Sequence, residues 1–307
     1  MIIPSDLVGR SAGPLVQDVD ARWLMAYAAA LGDMAPEYLD TARAGGIVGH
    51  PLFPVCYEWP LAVEFRAKAM SEAIAVRSVH ATHDLRLARR PRPGDRLRTT
   101  AIVVSTEPRS PGAYVVTRFE TVDAEGQRVS STDYGSIYRG VDCERAAMPA
   151  RPGGAVQPGG GDGASDAAGR AVESAATGPD WSATIPVPAG LAHTYTECAR
   201  IWNPIHTDRA VARSAGLKEI ILHGTATLAL AVSAALDRAN LGPAAPVTRV
   251  TCRFTGMVPL PSALTVRGWG EPHRDGPLIR FDALTPDGQA ALRGRLAVAT
   301  ERGGHRR

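Results

Sequence analysis

The chain has 307 residues, 45% hydrophobic and 21% charged, and its formal net charge is only +3. This length accommodates two ordinary domains with well-buried cores. The basic residues are spread along the chain rather than gathered on one stripe, which argues against a nucleic-acid-binding protein.

Redox state and compartment follow from a few simple features. The 4 cysteines lie far apart without C-x-x-C spacing, so we expect reduced thiols and neither disulfides nor a metal site. The first residues, Met1-Ile-Ile-Pro-Ser-Asp, lack the basic and apolar segments of a secretory signal. No apolar run approaches the ~18 residues of a membrane helix. We therefore expect a soluble, cytoplasmic protein.

The first half reads as a leading strand and loop followed by helices and then strands. Residues 21–31 predict a helix that ends at Gly32, and 54–70 predict a second, longer helix. The segments that follow alternate apolar and polar residues with turn signals between them, which is typical of antiparallel strands. These are 79–87, 96–106, 113–123 and 128–139.

Residues 146–183 are rich in Gly, Ala and Pro without apolar periodicity, which predicts a flexible linker. They separate a domain at 1–145 from a second domain at 184–300, with a flexible tail at 301–307.

The second half repeats the order of the first. It predicts a strand at 181–187, a helix at 189–201, a short helix capped by Thr207 and ended by Gly216, and a long helix at 225–240. Strands at 247–254, 263–270, 278–285 and 289–300 follow. A duplicated α+β unit, with one long helix against an antiparallel sheet, is the economical interpretation.

The stretch Asn203-Pro204-x-His206-x-Asp208, followed by His223-Gly224, has the features of a site. The proline forces a turn that holds His206 on a constrained loop. Gly224 precedes an apolar helix whose first N–H groups lack intrahelical partners. An imidazole beside a helix N-terminus is suited to binding and polarising a carbonyl oxygen.

Together with Tyr195, Ala212, Gly216 and Ile221, this motif resembles the MaoC-like dehydratases, which include the (R)-specific enoyl-CoA hydratases. The resemblance implies a tandem double hotdog fold whose halves pair as two subunits would. It also implies an acyl-thioester substrate. Coenzyme A or the phosphopantetheine of a carrier protein would then be part of the substrate, with no other cofactor, and a homodimer of double hotdogs is the assembly considered.

By this resemblance His206 transfers the proton, Asn203 positions water or the imidazole, and the Gly224 N–H holds the thioester oxygen. The family has an Asp five residues before the His, where this chain has Ile201. Isoleucine cannot transfer a proton. The residues considered as accessory groups are Asp208, Glu58, His223 and Tyr195.

Glu58 is of interest because some other hotdog dehydratases are similar in placing a helix-borne carboxylate opposite a His of the neighbouring unit. Asp208 is more typical of a helix start. In the first half, Asp33 falls on the family's acid, but Tyr38 falls on His206. Pro51, which has no N–H, falls on Gly224. We therefore interpret the first half as structural.

Substrate contacts are expected from Trp202 and Thr225, with Tyr195 at the site wall. Arg89 and Arg90 belong to a basic stretch that fits either a phosphate contact or a solvated strand edge. The remaining histidines, His50, His80, His83 and His193, are expected to be structural.

The resulting hypothesis is a dehydratase or hydratase that removes or adds water at a 3-hydroxyacyl or 2-enoyl thioester. Because Ile201 replaces the acid, two alternatives stay open. One is an acyl-thioester-binding subunit without activity, and the other is a thioesterase. A substrate that supplies its own acid is a further conjecture.

Overall fold

The computed structural model describes residues 1–148, 178–274 and 276–300. Most of the expected linker at 146–183, and the whole tail at 301–307, lie outside these residues. Where the linker region is described, it carries strand structure. Ala146–Ala147 pairs with a neighbouring strand, and another strand begins at Trp181.

The main elements of the first half are a group of helices followed by a group of antiparallel strands. Its helices are α1 (Ala21–Ala30), α2 (Pro36–Leu39), α3 (Pro54–Ala69) and α4 (Glu72–Ala75). Its strands are β1 (Ile2–Ile3), β2 (Ser11–Asp18), β3 (Ser78–Leu87), β4 (Arg96–Arg109), β5 (Gly112–Val122), β6 (Arg128–Arg139), β7 (Asp142–Cys143) and β8 (Ala146–Ala147).

The second half repeats this plan with fewer elements. Its helices are α5 (Leu191–Ala199), α6 (Arg209–Ser214) and α7 (Gly224–Arg238). Its strands are β9 (Trp181–Val187), β10 (Val247–Phe254), β11 (Ser262–Glu271), β12 (Leu278–Leu284) and β13 (Ala290–Val298). The long helices and strands predicted from sequence are therefore confirmed.

One continuous sheet joins the two halves. Its strand order is β2-β4-β5-β6-β3-β10-β13-β12-β11-β9, and the two halves meet where β3 pairs antiparallel with β10. Arg249 of β10 reinforces this seam, because its guanidinium donates to both carboxylate oxygens of Asp84 on β3, at 2.9 and 2.7 Å. The long helices α3 and α7 are the central helices of the two units.

The halves also share their core. A single cluster of buried side chains contains residues of both, including Val55 of α3 and Leu228 of α7. Tyr27 of α1 and Tyr195 of α5 are fully buried, and their hydroxyl oxygens lie 3.4 Å apart. Because apolar burial is the main driving force of folding, such a shared core holds the halves together as a single unit.

The start of α6 differs from the prediction by one residue. Asp208, rather than Thr207, is the N-cap, and its carboxylate accepts from the backbone N–H groups of Ala210 and Val211. A carboxylate satisfies two of the unpaired N–H groups and interacts favourably with the helix dipole, which explains the choice. Gly216 follows the helix at φ +82°, a conformation that favours glycine.

All four cysteines are free thiols. Within the described ranges, no helix is long and apolar enough to cross a membrane.

Candidate active site between the two domains

His206 lies on the turn that the Asn-Pro sequence forms. Pro204–His206 makes one turn of 3-10 helix, which the Asn203 carbonyl closes by accepting from the His206 N–H at 3.1 Å. His206 Nδ1 lies 2.9 Å from the Ile221 carbonyl oxygen. Since a carbonyl can only accept, Nδ1 carries the proton, and Nε2 is left as an acceptor. Burial lowers the pKa of His206 to about 4, so the ring is neutral at pH 7.

His223 and Gly224 form the other side of this site. The His223 ring stacks on His206 with centroids 3.7 Å apart, and its Nε2 lies 3.1 Å from the Thr196 hydroxyl. Burial, and then the neighbouring His206, lower the pKa of His223 well below its usual value. Gly224 is the first residue of α7, so its N–H has no intrahelical partner.

These groups surround a cavity of about 320 Å³ between the two halves. Asn203, His206, His223, Gly224 and Thr225 all line it, so the structure brings together the main residues of the predicted motif. Ile201 also lines the cavity and is buried, which makes this wall apolar where the family has a carboxylate.

The cavity's carboxyl group comes from the other half. Glu58 lies on α3, is only 3% exposed and lines the same cavity as His206. The Thr132 hydroxyl donates to its Oε1 at 2.6 Å. Burial raises the pKa of Glu58 from 4.5 to about 8, because an ionised carboxylate would be poorly solvated there. At pH 7 Glu58 is therefore a protonated acid facing a cavity that also holds a neutral imidazole.

In the first half, the position that corresponds to His223 is occupied by His50, which has different hydrogen-bond partners. His50 Nδ1 accepts from the Leu52 N–H at 3.0 Å, so Nε2 carries the proton and points to the Ser233 hydroxyl at 3.0 Å. Ser233, which comes from α7, donates to Asp33 at 2.6 Å. Each half's histidine site is thus completed by the other half's central helix. In the first half, however, the imidazole has no free acceptor nitrogen.

Two of the predicted accessory residues, Tyr195 and Asp208, do not line the cavity. Tyr195 is fully buried and donates to the Thr225 hydroxyl at 3.1 Å, so it supports a cavity residue without lining the cavity. Asp208 caps α6, as described above, and does not line the cavity.

Three predicted substrate contacts lie outside the cavity. Trp202 is 58% exposed on the protein surface. Arg89 pairs with Asp95 and Asp123. Arg90 is buried where the halves meet and donates to the carbonyls of Gly49, Pro243 and Ala245. The guanidinium groups of both arginines thus bind carboxylates or carbonyls within the protein, so neither is free to bind a phosphate.

Several lining residues were not predicted. His80, expected to be structural, lines the cavity and stacks on Tyr134 with centroids 3.7 Å apart. Arg66, Arg139 and Phe254 line it as well. The helical residues had a detectable signal, because the spacing of Glu58 and Arg66 puts these two charged residues on one face of the helix, together with apolar residues. The strand residues had none, since the side of the sheet that faces the cavity is decided by tertiary packing.

Among the described residues, no group of three or more His, Cys, Asp or Glu side chains is arranged to hold a metal ion. The groups that line the cavity are suited to proton transfer. It presents a neutral imidazole that can accept a proton, a carboxylic acid that can donate one, and a helix N-terminal N–H that can stabilise an oxyanion.

The fold is that of a double hotdog protein, and the cavity lined by His206, Glu58 and Gly224 lies between its two halves. A family model described as "MaoC like domain" matches residues 172–279, and one described as "FAS1-like, dehydratase domain region" matches residues 6–132. Each half of the chain thus matches a dehydratase-type domain model, and the model for the second half is MaoC-like. The resemblance noted in the sequence, and the double hotdog fold it implied, are confirmed.

Solved structures show the same architecture. A MaoC-like dehydratase from Phytophthora capsici is 21% identical, with a TM-score of 0.78 over 98% of this chain and 99% of that one. Full-length peroxisomal multifunctional enzyme type 2 from Drosophila melanogaster is 22% identical, with a TM-score of 0.69 over 92% of this chain and 48% of that one. A Mycobacterium tuberculosis protein described as a double hotdog is 16% identical, with a TM-score of 0.59 over 95% and 96%. At these identities the likeness concerns the fold.

Proposed function

We propose that the protein is an acyl-thioester dehydratase or hydratase, which interconverts a 3-hydroxyacyl thioester with the 2-enoyl thioester and water. The observation that carries this proposal is that His206, Glu58 and Gly224, the first residue of α7, all line one cavity. The MaoC-like domain, and with it a hydratase or dehydratase family, supports the same reaction class.

In the dehydration direction, the thioester carbonyl oxygen accepts a hydrogen bond from the Gly224 N–H. This contact stabilises the negative charge that develops on the oxygen as the α C–H bond breaks. His206 Nε2 takes the α proton, and the electron pair left behind forms the new C=C bond. Protonated Glu58 donates to the β hydroxyl as its C–O bond breaks, so water leaves and Glu58 is ionised. The proton on His206 then returns to Glu58, the stronger base of the two, which restores both groups. Hydration follows the reverse path.

In this proposal Glu58 is the second proton-transfer group, a role that belongs in the family to an Asp at the position of Ile201. Its protonation state fits this part, because a carboxyl with a pKa of about 8 still holds its proton at neutral pH. The imidazole, with a pKa of about 4, is ready to accept. Two groups whose environments push their pKa values apart are what acid and base roles at one site require.

Coenzyme A or a carrier protein's phosphopantetheine is the proposed thiol component, and no separate cofactor is needed for this reaction. We also predict that the protein assembles as a homodimer and is located in the cytoplasm.

The replacement His206→Asn tests the proposal. The Asn amide can still donate to the Ile221 carbonyl but offers no basic nitrogen, so we expect the fold to persist while hydration of crotonyl-CoA falls by roughly 10²- to 10⁴-fold. The exposed His273→Asn serves as the matched control, and thermal melting checks folding. Wild-type turnover in His206→Asn would refute the assignment.

The same assays separate the alternatives. An acyl-thioester-binding subunit would bind acyl-CoA without turnover of any chain length. A thioesterase would instead release free thiol.

A further inference from the structure

One face of α3 follows the cavity along its length. Val55, Glu58, Ala62 and Arg66 are spaced by three or four residues, Trp59 is next to Glu58, and all five line the cavity. Residues at this spacing lie on one face of a helix. At a rise of about 1.5 Å per residue, Arg66 lies roughly 12 Å along the helix axis from Glu58. The cavity therefore has an acid at one point of this face and a cation further along it.

A second arginine, Arg139, lines the same cavity as Arg66. Arg139 is the last residue of β6, beside Ser78 at the start of β3, and both line the cavity. Exposure increases in this direction, because Glu58 and His206 are buried, Arg66 is half-buried and Arg139 is exposed. The two arginines thus lie toward solvent relative to the proton-transfer groups.

These guanidinium groups are not neutralised by carboxylates. In the described part of the chain, neither Arg66 nor Arg139 forms an ion pair, whereas Arg118, on the neighbouring strand β5, pairs with Asp133 at 2.6 Å. The Arg66 guanidinium lies 5.8 Å from the centroid of the Trp59 ring. Burial raises the pKa of Tyr134, another cavity residue, to about 12, and the charge of Arg66 acts in the opposite direction. Glu58, the carboxyl residue among the described ones that line the cavity, is itself neutral at pH 7.

We propose that Arg66 and Arg139 form an anion subsite on the solvent side of Glu58, which binds a negatively charged group of the thioester substrate. Guanidinium groups bind phosphates and carboxylates through paired N–H donors, and a partly enclosed site strengthens that contact. The anion is either a phosphate of the carrier arm or a carboxylate at the far end of the acyl group. This inference rests on the proposed function for the identity of the substrate.

The test uses the double variant Arg66→Gln, Arg139→Gln and three substrates that differ in charge. Crotonyl-CoA carries phosphates, crotonyl-pantetheine carries no charge, and 5-carboxy-2-pentenoyl-pantetheine carries only an acyl carboxylate. Loss of a charge-assisted contact raises KM about tenfold or more for the substrate whose anion is bound, with kcat nearly unchanged. The control is Lys68→Gln on the same helix, whose exposed side chain pairs with Glu64.

A rise in KM confined to crotonyl-CoA identifies the phosphate source, and a rise confined to the carboxylated substrate identifies the acyl source. KM for crotonyl-pantetheine stays constant in either case. An equal KM for double variant and wild type with all three substrates overturns the subsite. So does an equal rise for all three, because that would reflect a general change in the cavity.

Binding measurements keep this test separate from the proposed reaction. Calorimetric titration with saturated butyryl-CoA, butyryl-pantetheine and glutaryl-pantetheine gives dissociation constants that do not depend on turnover. Charge-selective weakening in the double variant, together with a wild type that turns over no thioester, would support the subsite and refute the dehydratase. Unchanged dissociation constants beside an active wild type would do the opposite.

Discussion

Replacing Glu58 by Gln removes one titrating proton while almost preserving the shape of the side chain. The Gln amide oxygen can still accept from the Thr132 hydroxyl, which now donates to Glu58 at 2.6 Å. The variant therefore separates the acid function of Glu58 from its packing. We expect it to be much less active and, at alkaline pH, more stable than the wild type.

The expected effect on stability follows from the raised pKa. Folding raises the pKa of Glu58 from 4.5 to about 8, so the folded state binds its proton more tightly than the unfolded state. The associated stabilisation is fully present below about pH 4.5 and is lost as pH rises to about 8. A shift of this size corresponds to roughly 5 kcal/mol of unfolding free energy. Gln does not titrate, so its variant lacks this loss.

Urea unfolding at pH 5 and pH 8 measures the effect. The difference in unfolding free energy between Glu58→Gln and wild type should grow in favour of the variant by roughly 3 to 4 kcal/mol between these pH values, because they cover most but not all of the titration. Glu64→Gln on the same helix is the control, because Glu64 is exposed and paired with Lys68. If Glu58→Gln and wild type lose stability in parallel from pH 5 to 8, Glu58 is not held as a neutral acid and the reasoning fails.

Activity should change in a matching way. The wild-type kcat/KM for dehydration should fall below about pH 4, where His206 becomes protonated, and above about pH 8, where Glu58 ionises. The Glu58→Gln enzyme should be slower by about 10²- to 10⁴-fold and should lack the alkaline decline. An alkaline decline that persists in the variant would assign that limb to another group.

The remaining predictions concern the oxyanion contact and the junction of the halves. Gly224→Pro removes the N–H at a helix position that tolerates proline, and kcat should fall by about 10²- to 10³-fold. Gly224→Ala keeps the N–H and controls for crowding, since its Cβ would lie 3.1 Å from Phe254; equal losses would refute the oxyanion role. Arg90→Met should lower the unfolding free energy by about 3 kcal/mol without changing KM for crotonyl-CoA. If folded Arg90→Met protein has a raised KM for crotonyl-CoA, Arg90 contacts the substrate after all.

Much of the fold was accessible from local patterns. Alternating polarity over 79–87 and 128–139 predicted strands, because successive strand residues face opposite sides of a sheet. The helical spacing of apolar residues identified α1 and α7 in the same way. Matching the two halves predicted a duplication, and the Asn203-Pro204 turn marked His206. The error at the start of α6 was one residue, since Thr207 and Asp208 are both good capping residues.

The site was only partly accessible, because its groups come from distant parts of the chain. Arg89 and Arg90 are adjacent and chemically identical, yet one pairs with two carboxylates and the other is buried between the halves. Sequence position could not separate these roles. His80 has no motif around it, and it became a cavity residue through the packing of β3 beside β10.

The sequence by itself therefore determined the duplicated units and the turn that carries the imidazole, since both depend on interactions between near neighbours in the chain. Only the tertiary structure decided that Glu58 faces the same cavity as His206. That pairing depends on how two cores merge along a shared sheet, and the same merger excludes water from the carboxyl and keeps it protonated.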